Sequence, residues 1–371
     1  MELITREKAQ NILFGSLFLG CGGGKLETGM NIIDKTDGKV NMISMEEARR
    51  LDPKALYITI SGVGSPASTE SYRGDDTYSR IIEITKQLQK NNPSLPQGEI
   101  KGLIPSEMGA TSSFGPFMTS AQLGIPVVNT ACDGRAHPFG TMGSLGLQTL
   151  SQPVIQVACG GDPQKNRYLE VSVIAAVDSA AEIIRSSASN AGGLVEVARN
   201  PVEYRYLVRS SAAGCYSMAE EIGREFTDRS LLVDEKLDHV CRVVNGRIIT
   251  TGTVGPITIE TRNALDYGHF EVTDSNGDKF KMYFCNEYMA VNSPNGTRLN
   301  TFPDFIVTAD YETGRPISTA ELKEGAEVYL LGSKWTNMLL GLGVRYRAPY
   351  KRLEDALGIE MIKYLDGLFI D

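Results

Sequence analysis

"IPVVNTACDGRAHPFGTM", Ile125 to Met142, decides how this chain reads. Its first part, Ile125 to Ala131, is apolar and rich in β-branched residues, which predicts a buried strand. The polarity then changes abruptly, and Cys132, Asp133, Arg135 and His137 follow within six residues. Open α/β sheets carry their chemistry just beyond the carboxyl ends of their strands. His137 is a candidate acid or base near neutral pH. Asp133 could orient it, and Arg135 could clamp a carboxylate with two parallel N–H donors. The plainer reading is a loop in which Asp133 and Arg135 pair and hold the turn.

Working outward, the same grammar recurs. Tyr57 to Ile60 predicts a strand that Gly62 and Gly64 end, and Glu99 to Ile104 predicts another. Pro153 to Ala158 makes a fourth. Between them, Asp75 to Lys90 has the spacing of an amphipathic helix, and Pro116 suits a helix's first turn. Thr5 to Phe18 predicts the first helix, and Ser44 with Glu47 forms a capping box for a short one. Apolar strands alternating with helices predict an α/β fold with a parallel sheet. The loops "SGVGSP", "PSEMGATSS", "CDGRAHPFGTM" and "CGGDPQ" should then crowd one edge.

The second half changes character. Helical patterns, clearest in "DSAAEIIRSS" and "SAAGCYSMAEEIGREF", give way near residue 236 to short β-rich runs that last to about residue 335. Asn245-Gly246, Asn276-Gly277 and Asn295-Gly296 separate them like hairpin turns, which predicts a β-barrel-like lobe. The tail from Lys351 to Leu368 reads as a closing helix. The expected division is an N-terminal α/β domain over 1–168 and a C-terminal region over 169–371 containing the β-rich lobe.

With 371 residues, the chain has room for two such parts. A formal net charge of -8 argues against nucleic-acid or anionic-membrane partners, which need a basic surface. The six cysteines include no CxxC pair and are too dilute for a disulfide framework. "MELITREKAQ" lacks the apolar core of a signal peptide, and no apolar run reaches membrane-spanning length. The expected setting is cytoplasmic, with reduced thiols.

Three further segments carry candidate chemistry. "GCGGGK", Gly20 to Lys25, is neither a phosphate loop nor a dinucleotide fingerprint: Leu26 stands where Ser or Thr should be, Lys25 stands at the third glycine, and a helix rather than a strand precedes it. No nucleotide is expected. Gly22, Gly23 and Gly24 could form a nest of backbone amides, or only a tight turn. Cys21 could be a nucleophile or an inert buried thiol. "SEMGATSSFGP" offers Glu107 as base, metal ligand or hydrogen-bond acceptor, against a helix-capping role for its hydroxyls. In the β-rich lobe, Asn286, Glu287 and Asp304 are polar residues in apolar surroundings, suited to a site between domains or to turn chemistry. A divalent metal stays open, although no spacing supports one.

The order of "GSLFLGCGGGK", "SEMGATSSFGPFMTSAQLGIPVVNTACDGRAHPFGTM", "CNEYMAV", "FPDFIVTADYETGRPIS" and "LKEGAEVYLLG" resembles the S-methyl thiohydantoin desulfurase family across nearly the whole chain. The resemblance implies hydrolysis of a hydantoin-like or S-methyl thiohydantoin-like ring, by water attack on the ring carbon. For that chemistry the residues themselves nominate Glu107 or Asp133 to activate the water and His137 to carry the proton, a catalytic set of Glu107, Asp133 and His137. Substrate would be held by Cys21 to Gly24, Arg135, Asn286, Glu287 and Asp304. The resemblance also implies a homo-oligomer or a hydantoinase-type partner, and a competing role as a non-catalytic subunit of such a complex. This chain departs from the family pattern at Asn129, Ala131, His137 and Phe139, and at Cys21 and Lys25.

Overall fold

The structure is a computed structural model that describes residues 1–64, 70–72, 74–150, 152–262 and 265–371. Ser65 and Pro66, the end of the "SGVGSP" loop, lie outside the described residues.

Apolar strands pair as expected, but the sheet they build is mixed. Its eight strands run in the order Glu2–Leu3, Asn41–Ile43, Val127–Val128, Ile100–Pro105, Leu56–Gly64, Leu194–Glu203, Val154–Gly160, Leu169–Ala175. The four from Asn41–Ile43 to Leu56–Gly64 are mutually parallel, and every other pairing is antiparallel. The sheet continues past residue 168, because Leu169–Ala175 and Leu194–Glu203 complete it. The strand expected over Ile125 to Ala131 breaks at Asn129. Val127–Val128 stays in the sheet, while Thr130–Ala131 turns away to pair with Ala212–Ala213.

The second sheet is antiparallel, with Arg298–Thr301 at one edge and Phe305–Asp310 at the other. No ladder joins these edges among the described residues, so a closed barrel is not seen there. The closing helix is shorter than expected, Arg347–Leu357, because Gly358 takes a left-handed φ of 65° and ends it.

Between the sheets, the helix Arg6–Leu19 crosses Cys215–Thr227 at very close range. A Cβ on Gly15 would lie 1.8 Å from Ala219 O, and one on Gly223 would lie 1.8 Å from Asn11 O. Only glycine permits that approach. Asn129 fastens the second helix from outside, its Oδ1 accepting from the N–H groups of Tyr216 and Ser217 at 3.1 and 3.3 Å. Phe18 and Leu19 share one core with Phe305, Val307 and Leu331 of the second sheet. The glycine loop that follows Leu19 is therefore delivered to the junction of the two lobes.

Candidate functional site

The loops at this junction line an open cavity of about 280 Å³. Its walls include residues of Gly23 to Lys25, Ser106 to Ser112, Ala136 to Gly140, and Asn286 with Glu287. Gly62 to Gly64 complete the sheet edge. The expected crowding of strand-end loops thus occurs for three of the four. "CGGDPQ" leaves the sheet two strands farther along and does not reach the cavity.

Glu107 and His137 meet there. Glu107 Oε2 accepts from the His137 backbone N–H at 3.0 Å and lies 3.3 Å from its Nδ1. That second contact lacks hydrogen-bond alignment, and Nδ1 has no partner. His137 Nε2 faces Ser106 O at 3.4 Å, which suits a proton on Nε2 and a lone pair on Nδ1. Burial lowers the His137 pKa, so the ring is neutral near pH 7. Gly143 makes room for it, since a Cβ there would lie 2.8 Å from Nε2.

Glu287 approaches from the second lobe. It is buried, and Oε2 has no hydrogen-bond partner. Burial first, then the Glu107 charge, pushes its pKa well above the usual carboxylate range. A Cβ on Gly23 would stand 2.9 Å from Glu287 Oε1. The glycine loop thus lets the acid in at close quarters. Its amides are less open than a nest requires, because the N–H of Gly23 donates to Gly20 O at 2.8 Å. Asn286, with φ 55°, lines the cavity beside Glu287, while its Oδ1 accepts from Asp266 N at 2.9 Å.

The other expected residues lie away from the cavity lining. Cys21 is buried, its Sγ faces Phe18 O at 3.6 Å, and burial raises its thiol pKa, the opposite of nucleophile activation. Gly22, with φ 98°, accepts from Thr319 N through its carbonyl at 2.9 Å. Asp133 is fully buried: Oδ1 accepts from Gly341 N at 2.9 Å, Oδ2 has no partner, and burial lifts its pKa to about 7. Arg135 is not a free clamp. It donates to the carbonyls of Ala136, Asp304 and Tyr288, and its guanidinium sits 4.6 Å from the centre of the Phe302 ring. Asp304 is a turn residue, accepting from Trp335 N at 2.7 Å and from Thr301 N and Asn300 Nδ2 at 3.0 Å.

Three cavity residues were not foreseen as site residues. Glu196 and Arg199 lie on the strand Leu194–Glu203, and Arg185 on the helix Val177–Asn190. A readable signal existed: two charges, Glu196 and Arg199, inside the β-prone stretch "LVEVARNPVE". Among the described residues, no group of three or more His, Cys, Asp or Glu side chains is placed to hold a metal ion, and no helix is long and apolar enough to cross a membrane.

The N-terminal domain model of the S-Me-THD-like family matches residues 7–179, and its C-terminal domain model matches 176–340. The chain belongs to the S-methyl thiohydantoin desulfurase-like family. The X-ray structure of a Chromobacterium violaceum protein matches with a TM-score of 0.72 at 16% identity, covering 99% of this chain and 98% of that one. At that identity the likeness concerns the fold. No curated protein matches the chain.

Proposed function

We propose that this family member hydrolyses a five-membered cyclic ureide, or its S-methyl thio analogue, at the ring carbon between the two nitrogens. The observation that supports this most is one pocket lined by two carboxyl groups in unlike settings. Glu107 is held by a backbone N–H and partly open, whereas Glu287 is buried, and that burial favours its protonated form. Unlike environments of this kind divide base from acid. The volume of about 280 Å³ falls at the lower end of ligand pockets and suits one ring with a short substituent.

In this reading Glu107 takes a proton from water as the oxygen attacks the ring carbon. The C=N pair moves to the ring nitrogen, which takes the Glu287 proton. The tetrahedral carbon then collapses: its hydroxyl returns a proton to Glu287, and the C–S bond breaks with its pair on sulfur. The leaving methanethiolate takes the proton first captured by Glu107, with the orphaned Nδ1 of His137 as the nearest relay. The products are the hydantoin and methanethiol.

The test is methanethiol release from S-methyl thiohydantoins, followed with a thiol reagent. Glu107→Gln should slow turnover by roughly 10²–10⁴-fold. Turnover within a few-fold of the parent in both Glu107→Gln and His137→Asn would remove the assignment. Activity that appears only on adding a hydantoinase-type partner would favour the non-catalytic subunit instead.

A further inference from the structure

We propose that Arg199 and Arg185 form a carboxylate subsite in the cavity, so that the ring taken by this protein carries an acidic side chain. The inference rests on the ring reading above and adds the class of substituent.

Arg199 occupies a position where a cation is costly. It pairs with Thr59 on one side and Gln156 on the other, in the interior of the first sheet. It is 5% exposed, its Nε has no partner, and its guanidinium makes no hydrogen bond among the described residues. Burying a guanidinium without partners is strongly unfavourable. Yet it lines the cavity, and the loop passing over it does so at Gly140, where a Cβ would lie 3.4 Å from one guanidinium nitrogen. A side chain there would cover the arginine, and glycine leaves it open.

Arg185 lines the same cavity and likewise makes no hydrogen bond among the described residues. The two cations oppose each other, since Arg185 adds to the burial that lowers the Arg199 pKa. Glu107 acts on Arg199, and Glu287 acts on Arg185, but neither closes an ion pair with it among the described residues. Glu196 also lines the cavity and is not among the charges acting on Arg199. Lys25 adds a further cation at the edge. The hydrolytic step uses none of these three cations. A guanidinium presents paired N–H donors that match two carboxylate oxygens. One bound carboxylate would partner the orphaned donors and relieve the repulsion between the arginines. A neutral ring carbonyl would do neither.

Isothermal titration of the full chain with three probes tests this: hydantoin-5-acetate, the neutral isostere hydantoin-5-acetamide, and succinate. The acetate should bind at least about ten-fold more tightly than the acetamide. Arg199→Gln and Arg185→Gln should each erase most of that preference. Equal binding of the two hydantoins overturns the inference and leaves the ring reading standing. Binding of succinate, lost in Arg199→Gln, with neither hydantoin bound, supports the carboxylate subsite and refutes the ring reading. No binding of any probe refutes both. Should Arg199→Gln fail to fold, the parent's acetate preference and the Arg185→Gln variant decide the matter.

Discussion

Replacing Arg135 by Met separates two roles that one residue type can play. A substrate clamp would lose affinity and leave the fold alone, whereas a strut between lobes would lose stability. The geometry makes Arg135 a strut: fully buried, it donates to Ala136 O in its own loop and to Tyr288 O and Asp304 O in the second lobe. Methionine fills much of the same space but leaves those carbonyls without their donors. Hydrogen bonds from a charged group contribute about 1.5–3 kcal/mol each, and they do not add. Leaving these buried carbonyls without donors costs about 1–3 kcal/mol each, or about 3–5 kcal/mol together when less than additive. Over the unfolding entropy of 371 residues, about 0.8 kcal/mol per degree, that becomes a fall in melting temperature of roughly 4–6 °C. Differential scanning calorimetry measures it, with the Michaelis constant determined below the transition. A melting temperature within about 1 °C of the parent, beside a ten-fold rise in that constant, would refute the strut.

Asp133 should carry a pH signature. Burial pushes it from the ordinary aspartate value of 3.8 up to about 7, so its contribution is most favourable below pH 4 and is lost as pH rises toward 7. Asp133→Asn keeps an acceptor for Gly341 N and should flatten the stability profile between pH 4 and 7 in urea melts; an unchanged slope would contradict the assignment. All six cysteines are buried and unpaired, so a thiol reagent should find no fast-reacting group in the native protein and six after denaturation. Cys21→Ala should keep turnover within a few-fold; a complete loss of turnover in a folded Cys21→Ala protein would restore the nucleophile. Gly143→Ala places a Cβ 2.8 Å from His137 Nε2, an overpacking of about 1–3 kcal/mol, and should depress turnover more than melting temperature. The reverse order would show that the imidazole's position does not matter.

What was legible in the sequence followed from periodicity and punctuation. Ser44 and Glu47 form the capping box, and Thr5 accepts from Lys8 N at the start of the first helix. The helix expected over Asp75 to Lys90 runs over Thr77–Asn91. Pairing direction was not legible. Val154–Gly160 reads as an ordinary apolar strand, and nothing local reveals that it lies antiparallel to Leu194–Glu203. Nor was the order of the second sheet legible, since Arg298–Thr301 and Phe305–Asp310 are neighbours in sequence yet stand at its two opposite edges. Among site candidates, composition could nominate Arg135 and Asp304 but not say which way they face. Three main-chain carbonyls and a buried turn claim them. Arg199 escaped notice because it sits in an otherwise β-prone stretch, and because only the folded sheet shows its guanidinium left without partners among the described residues.

The glycine loop is joined to the second lobe through main-chain atoms: Tyr288 N donates to Cys21 O at 2.8 Å, and Thr319 N to Gly22 O at 2.9 Å. A seam made of peptide groups is indifferent to the side chains along it, apart from the need for glycine where φ is positive. Side chains lining the chamber can therefore be exchanged without releasing the lobes from one another. Such a scaffold suits redesign: the alignment of the halves and the choice of ligand are under separate control, so specificity can be varied at Lys25, Arg185 or Arg199 while the seam stays intact.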